Sequence, residues 1–129
     1  MARPLIYVDA SDVRDAALGE LKSAIGELAS HVERTNPQLL AYNTFFSTNG
    51  DRMTVVHLHP DASSLDQFTA LAGPRFERFT ELLTLRSIDV YGEPTAAAPR
   101  RLEHKARRLG DGDVAVHAPH AGFSRLRQC

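Results

Sequence analysis

Two histidines in the stretch RMTVVHLHP, residues 52–60, are the first residues whose type and spacing suit chemistry. Strand alternation sends Met53, Val55, His57 and His59 to one side and Thr54, Val56 and Leu58 to the other. Imidazoles on one side of a strand suit three tasks. They can chelate Zn, Cu, Ni or Fe, move protons near neutral pH, or hydrogen-bond to another chain. His117 and His120 would add two nitrogen ligands, but no neighbouring Glu completes a familiar metal pattern, so no metal is expected. His57 lies inside the strand, where neighbours on both sides can fix its ring, as a general base requires. His59 stands at the strand exit beside Pro60 and reads first as a hydrogen-bonding residue. Asp9 and Asp89 fall on strands expected to be neighbours and could share acid–base work. They read more simply as strand-end charges paired with residues such as Arg86. No GxSxG, P-loop, GxGxxG or HExxH pattern occurs, and Cys129 is a poor nucleophile at a chain end.

The elements that must position these residues follow from periodicity. PLIYVDA (4–10) reads as a strand, and Ser11 or Asp12 is expected to cap the helix after it. Leu18, Leu21, Ile25, Leu28 and Val32 recur at intervals of three and four, forming one apolar stripe. Pro37 ends that helix. QLLAYNTFFST (38–48) and RMTVVHLHP form a hairpin around NGD (49–51). Ser63 followed by Asp66 resembles a capping box for a second helix, which Gly73 and Pro74 interrupt. LRSIDVYG (85–92) is a fourth strand. The order β-α-β-β-α-β predicts an α+β, ferredoxin-like antiparallel sheet with both helices on one face and strand order 4-1-3-2. The expected core side carries Ile6, Val8, Leu40, Tyr42, Val56, Leu58, Ile88 and Val90. The expected open side carries Tyr7, Asp9, Asn43, Phe45, His57, His59, Ser87, Asp89 and Tyr91. A bare sheet face with such aromatics is expected to meet something.

Residues 1–94 are thus expected to form the ferredoxin-like domain, and residues 95–129 a C-terminal extension packing on the core or on a partner protomer. RRLEHKARRLG (100–110) predicts a short basic helix, with Leu102, Ala106 and Leu109 as its apolar stripe and Gly110 as its stop. A short strand is expected at Val114–His117. The 129 residues suffice for one sizeable core. The composition is 43% apolar and 24% charged, which argues against disorder. A net charge of −1 demands no nucleic-acid or membrane partner, and none is expected. The basic helix reads as a solvated face. With one cysteine, no intrachain disulfide can form. No signal peptide or membrane span is evident, and a cytoplasmic location is expected.

The β-α-β-β-α-β order, the hairpin NPQLLAYNTFFSTNGDRMTVVHLHPD (36–61) and the helix segment AGPRFERFTELL (72–83) resemble the dimeric α+β barrel superfamily. Within it, the likeness is to the antibiotic-biosynthesis-monooxygenase-like group, over residues 4 to 93. The resemblance implies a homodimer in which two sheets face each other with the helices outside. It implies that the protein could oxidise a quinol- or anthrone-like aromatic with O2 and no cofactor. The haem-degrading branch is a poor match, because the second helix has no histidine and the chain has no Trp. Under the oxygenase reading His57 is the general base, and Tyr7, Tyr42, Asn43 and His59 are candidate substrate contacts. Phe46, Phe68, Phe76 and Phe79 are candidate apolar walls, although each alone reads first as core. The other reading is a non-catalytic small-ligand-binding or structural dimer.

Overall fold

Local pattern accounts for the element order. A computed structural model describes residues 3–126. It runs β1 (Leu5–Val13), α1 (Leu18–Thr35), β2 (Ala41–Phe46), β3 (Arg52–His59) and α2 (Ala62–Ala72). A succession of 3₁₀ turns (Gly73–Glu81) follows, then β4 (Leu83–Tyr91), α3 (Ala98–Leu109) and β5 (Asp113–His117). The sheet order is β2-β3-β1-β4-β5. The first four strands are antiparallel in ferredoxin-like order, and β5 adds parallel to β4 at the edge. The helices share one face of the sheet. No described helix is long and apolar enough to cross a membrane.

Two expected caps move. Ser11 and Asp12 belong to β1, where they pair with Met53 and Arg52 of β3. Both neighbouring strands extend that far, so ladder hydrogen bonds occupy the backbone that a cap would have used. α1 starts after Ala17 with no side-chain cap. For α2 the capping group is Asp61 rather than Ser63. Its Oδ1 accepts from the Ser64 backbone N–H at 3.0 Å and from the Ser63 hydroxyl at 2.8 Å. The apolar stripe of α1 is as expected in its buried members Leu21, Ile25, Leu28 and Val32, with Ala24 added. Each fully buried Leu, Ile or Val there stabilises the fold by roughly 1.5–3 kcal/mol relative to exposure.

The assignment of sheet faces is corrected. Tyr7 lies opposite His57 of β3 and Val90 of β4, and His57 lies opposite Tyr42 of β2. That row faces the helices. Tyr7, Asp9, His57 and His59 are therefore buried under them. Ile6, Val8, Val56 and Leu58, expected in the core, lie on the other side with Asn43, Phe45 and Tyr91. Ile6, Phe45 and Tyr91 remain 41%, 55% and 43% exposed. Alternation determines which residues share a face. It does not determine which face the helices cover when both are partly apolar.

The C-terminal segment packs on this chain's own core. α3 buries Ala98, Leu102, Ala106 and Leu109, and β5 pairs with β4 from Ser87↔Asp113 to Tyr91↔His117. The turn between them presses on β4. Gly110 has φ 145°, and a Cβ there would lie 2.7 Å from Thr84 Cγ2. The turn can approach this closely because glycine tolerates that backbone and adds no side chain.

Candidate active site

β1 places Tyr7 and Asp9 on successive inward positions, and α3 lays Lys105 across them. Lys105 Nζ donates to Tyr7 Oη at 2.6 Å and lies 3.3 Å from Asp9 Oδ2. The Tyr7 hydroxyl donates in turn to Asp9 Oδ2 at 2.6 Å. The Lys105 and Asp9 side chains are only 10% and 7% exposed, so this ion pair is a buried one. The ammonium also sits over the rings of Phe76 and Tyr7, 4.3 and 5.0 Å from their centroids. Burial lowers the Lys105 pKa while Asp9 holds it up. Burial, reinforced by Asp9, raises the Tyr7 hydroxyl well above its ordinary value. The phenol therefore stays protonated and can donate its hydrogen bond.

His57 is stacked on Tyr7, with centroids 4.2 Å apart and planes at 22°. Tyr42 lies 4.7 Å away on its other strand neighbour, and Phe68 of α2 meets its ring edge-on at 4.3 Å. Burial pushes the His57 pKa well below the usual imidazole value, and the nearby Lys105 and His59 push the same way. His57 is therefore a neutral base at physiological pH. A chain of contacts orients it: His57 Nδ1 lies 3.4 Å from His59 Nε2, and His59 Nδ1 lies 2.7 Å from Ser64 Oγ. Burial brings His59 down to about 4, with Asp61 opposing. Of the two contacts, the second is a full-strength hydrogen bond and the first is long.

A small cavity of about 30 Å³ adjoins these groups, lined by Asp9, Tyr42, His57, Phe68, Phe76 and Lys105 among others. That space suits a water molecule, not an aromatic ring. Outside it, α3, α2 and the 3₁₀ segment frame a groove of about 740 Å³. Phe76 and Lys105 line both spaces.

The structure thus brings together Tyr7, Tyr42, His57, His59, Phe68, Phe76 and Phe79 from the expected set. Two candidates fall elsewhere. Asn43 is exposed on the open face, paired in register with Val56. Tyr42, not Asn43, is the β2 neighbour of His57. Phe46 lies on the helix side but opposite Met53, further along the hairpin, under the ammonium of Lys22. The four histidines do not converge. His117 bonds Asp89 Oδ1 at 2.9 Å on the open side, and His120 lies in the segment beyond β5. Among the described residues no group of three His, Cys, Asp or Glu side chains could hold a metal ion. Asp9 and Asp89 face opposite sides of the sheet, since Val8, not Asp9, pairs with Asp89.

Lys105 and Ser64 were not anticipated. Lys105 lies in sequence among solvated basic residues, 98 positions from Tyr7, and nothing local sets it apart. Its position beside the Leu102–Ala106–Leu109 stripe was the available signal. Long cationic side chains at the border of an apolar stripe often lay their stems along it.

A scan against protein-family models finds no match, and a search of curated protein sequences finds none either. Solved structures do match. MupZ from Pseudomonas fluorescens superposes with a TM-score of 0.73 at 14% identity, covering 95% of each chain. That coverage extends into the C-terminal helix and strand. SnoaB, a cofactor-independent oxygenase from Streptomyces nogalater, matches with a TM-score of 0.61 at 15% identity, over 74% of this chain and 97% of its own. Rv0793 from Mycobacterium tuberculosis gives 0.61 at 16% identity, over 74% and 99%. At such identities the likeness is one of fold.

Proposed function

From the fold of the antibiotic-biosynthesis-monooxygenase-like proteins, which this chain shares, we infer a small-molecule oxygenase. It would act on an aromatic, phenol- or quinol-like substrate with O2 and without a cofactor. The observation that carries this reading is His57. It is a buried, neutral imidazole, stacked on Tyr7 and faced by Tyr42 and Phe68, beside a cavity walled by aromatics. The description of SnoaB as a cofactor-independent oxygenase supports the reading by analogy of fold alone.

The tautomers follow from what a base needs. If His59 Nδ1–H donates to Ser64 Oγ, His59 Nε2 accepts the long bond from His57 Nδ1–H. His57 Nε2 then keeps a free lone pair for a substrate hydroxyl proton. The resulting phenolate is electron-rich. It gives an electron to O2, the radical pair closes a C–O bond at the ring carbon para to the oxygen, and the resulting peroxide anion takes back the proton held by His57. The hydroperoxide loses its carbon-bound proton and breaks its O–O bond. This leaves a quinone carbonyl and, with that proton, one water. All four electrons come from the substrate, so no other reductant is consumed. The Lys105 ammonium, fixed by Tyr7 and Asp9, stabilises negative charge as it develops on the substrate oxygen or on reduced O2. The substrate ring enters from the groove as the Phe76 side chain swings aside to enlarge the inner cavity, with Lys105 keeping its bonds to Tyr7 and Asp9.

We infer further that the working unit is a homodimer formed through the open sheet face. Ile6, Val8, Val56, Leu58, Phe45 and Tyr91 make that face apolar with no helix over it among the described residues, and single subunits rarely leave such a patch in water.

Oxygen uptake with anthrone, 1-naphthol and phenols that carry hydrogen at the para carbon tests the chemistry. The wild-type protein should consume O2 with at least one of them. His57→Ala should be slower by about 100-fold or more, the scale of a lost general base, with its circular dichroism intact. Absence of catalysed uptake with the whole panel, or an active His57→Ala protein, would overturn the oxygenase reading.

A further inference from the structure

Apart from Lys105, the basic residues of α3 have no part in the chemistry above. Five of the twelve α3 residues are Arg100, Arg101, Lys105, Arg107 and Arg108, against one acid, Glu103, in a chain whose net charge is −1. Four of those arginines line the outer groove with His104. Two are already matched: Arg101 lies 3.6 Å from Asp66, and Arg108 is paired with Glu77. Glu77 is the one carboxylate lining the groove. Arg100 has no acidic partner among the described residues, and Arg107 makes no ion pair there, although it lies beside Glu103, Asp111 and Asp113 in a smaller adjoining pocket. Thr69 and Thr80 also line the groove, with their hydroxyls donated to the Asp66 and Glu77 backbone carbonyls. A concave site of about 740 Å³ thus presents four guanidinium groups against one lining carboxylate, with Arg100 free of any acidic partner among the described residues. It also shares Phe76 and Lys105 with the His57 cavity.

We propose that this groove holds the oxyanion end, carboxylate or phosphate, of an elongated small-molecule ligand whose aromatic end reaches His57. This inference rests on the small-molecule reading of the site and names its substrate class. Arginine forks suit carboxylate and phosphate oxygens in two parallel hydrogen bonds. The opposite end of the path is aromatic and of low dielectric, and its one cation, Lys105, is already matched by Asp9 and Tyr7, so a second full anion is disfavoured there. Amphipathic ligands are therefore oriented: the anion stays on Arg100 and Arg107, and the ring enters past Phe76. Orientation of this kind delivers the reacting hydroxyl to one side of the cavity instead of leaving the ring free to turn.

The test is a binding comparison on the full chain by calorimetry without O2, using 1-naphthol, 1-hydroxy-2-naphthoate and 1-naphthyl phosphate. At least one anionic probe should bind roughly tenfold tighter than 1-naphthol, the scale of one charge-assisted hydrogen bond. That advantage should shrink as salt is raised. It should collapse in Arg100→Ala/Arg107→Ala and persist in Arg52→Ala, which alters a cation on the hairpin. Whichever anion gains more decides between carboxylate and phosphate. If 1-naphthol binds as well as both anions, the inference falls while the oxygenase reading stands on oxygen uptake. Without oxygen uptake but with an arginine-dependent preference, the groove assignment stands and the oxygenase reading falls. If no probe binds, or if a single-stranded oligonucleotide alone binds through these arginines, the inference is overturned.

Discussion

Replacing Lys105 by Met removes the cation from a buried pair and keeps most of the stem's volume. Asp9 would retain one donor, the Tyr7 hydroxyl at 2.6 Å, and lose the ammonium at 3.3 Å. At 3.3 Å and an effective dielectric near 20, the Coulomb term alone is about 5 kcal/mol. Measured losses of one partner from buried pairs run about 3–5 kcal/mol. The ammonium's contacts with Phe76 and Tyr7 are lost as well. We therefore expect Lys105→Met to cost about 3–5 kcal/mol in urea denaturation. For a chain of this size that corresponds to a melting temperature lower by roughly 10–20 °C. Much of the penalty comes from stranding a charge, so Asp9→Asn/Lys105→Met should recover most of it. The double-mutant cycle should show coupling of about 2 kcal/mol or more. A Lys105→Met protein within about 1 kcal/mol of wild type, or strictly additive single changes, would show that the pair is not the buried, mutually dependent contact described here.

The histidine pair makes stability depend on pH with a definite sign. His59 is held at about 4 and His57 well below its usual value, so the unfolded chain binds more protons than the native one as pH falls below about 6.5. This contribution is complete above that pH and is lost as pH falls toward 4. For His59 alone it amounts to roughly 3 kcal/mol across the window. Urea melts at pH 7 and pH 5 should show the fall, and His59→Gln should flatten it; an unchanged slope in that variant would contradict the assignment. On the open face, Val56→Arg places a cation amid Val8, Leu58 and their neighbours. Light scattering should give a dimer for wild type and a monomer for this variant. A wild-type species of 14.2 kDa at micromolar concentration would refute the dimer.

Several elements were legible because their signals are local. The 3-4-3-4 stripe of α1, the Asn49–Gly50 turn and the alternation in β3 each act over a few residues, and the structure has all three. The β-α-β-β-α-β order then restricts the topology strongly, and the sheet shows the expected order with one strand added. The sequence also grouped His57 with Tyr7 on one face, because a period of two leaves no alternative once strands pair in that register. Only tertiary structure decided which face the helices cover. Leu5, Tyr7, Asp9 and Ser11 look less core-like than Ile6, Val8 and Ala10, yet they are the buried set. They can be buried because their polar groups find partners from distant parts of the chain. Lys105 reaches Asp9 across 96 positions and Tyr7 across 98. Ser64 of α2 holds His59 at the far end of the same layer. A periodic pattern records the apolar cost of burying a side chain. It holds no record of the remote partner that offsets that cost, and here those partners create the site.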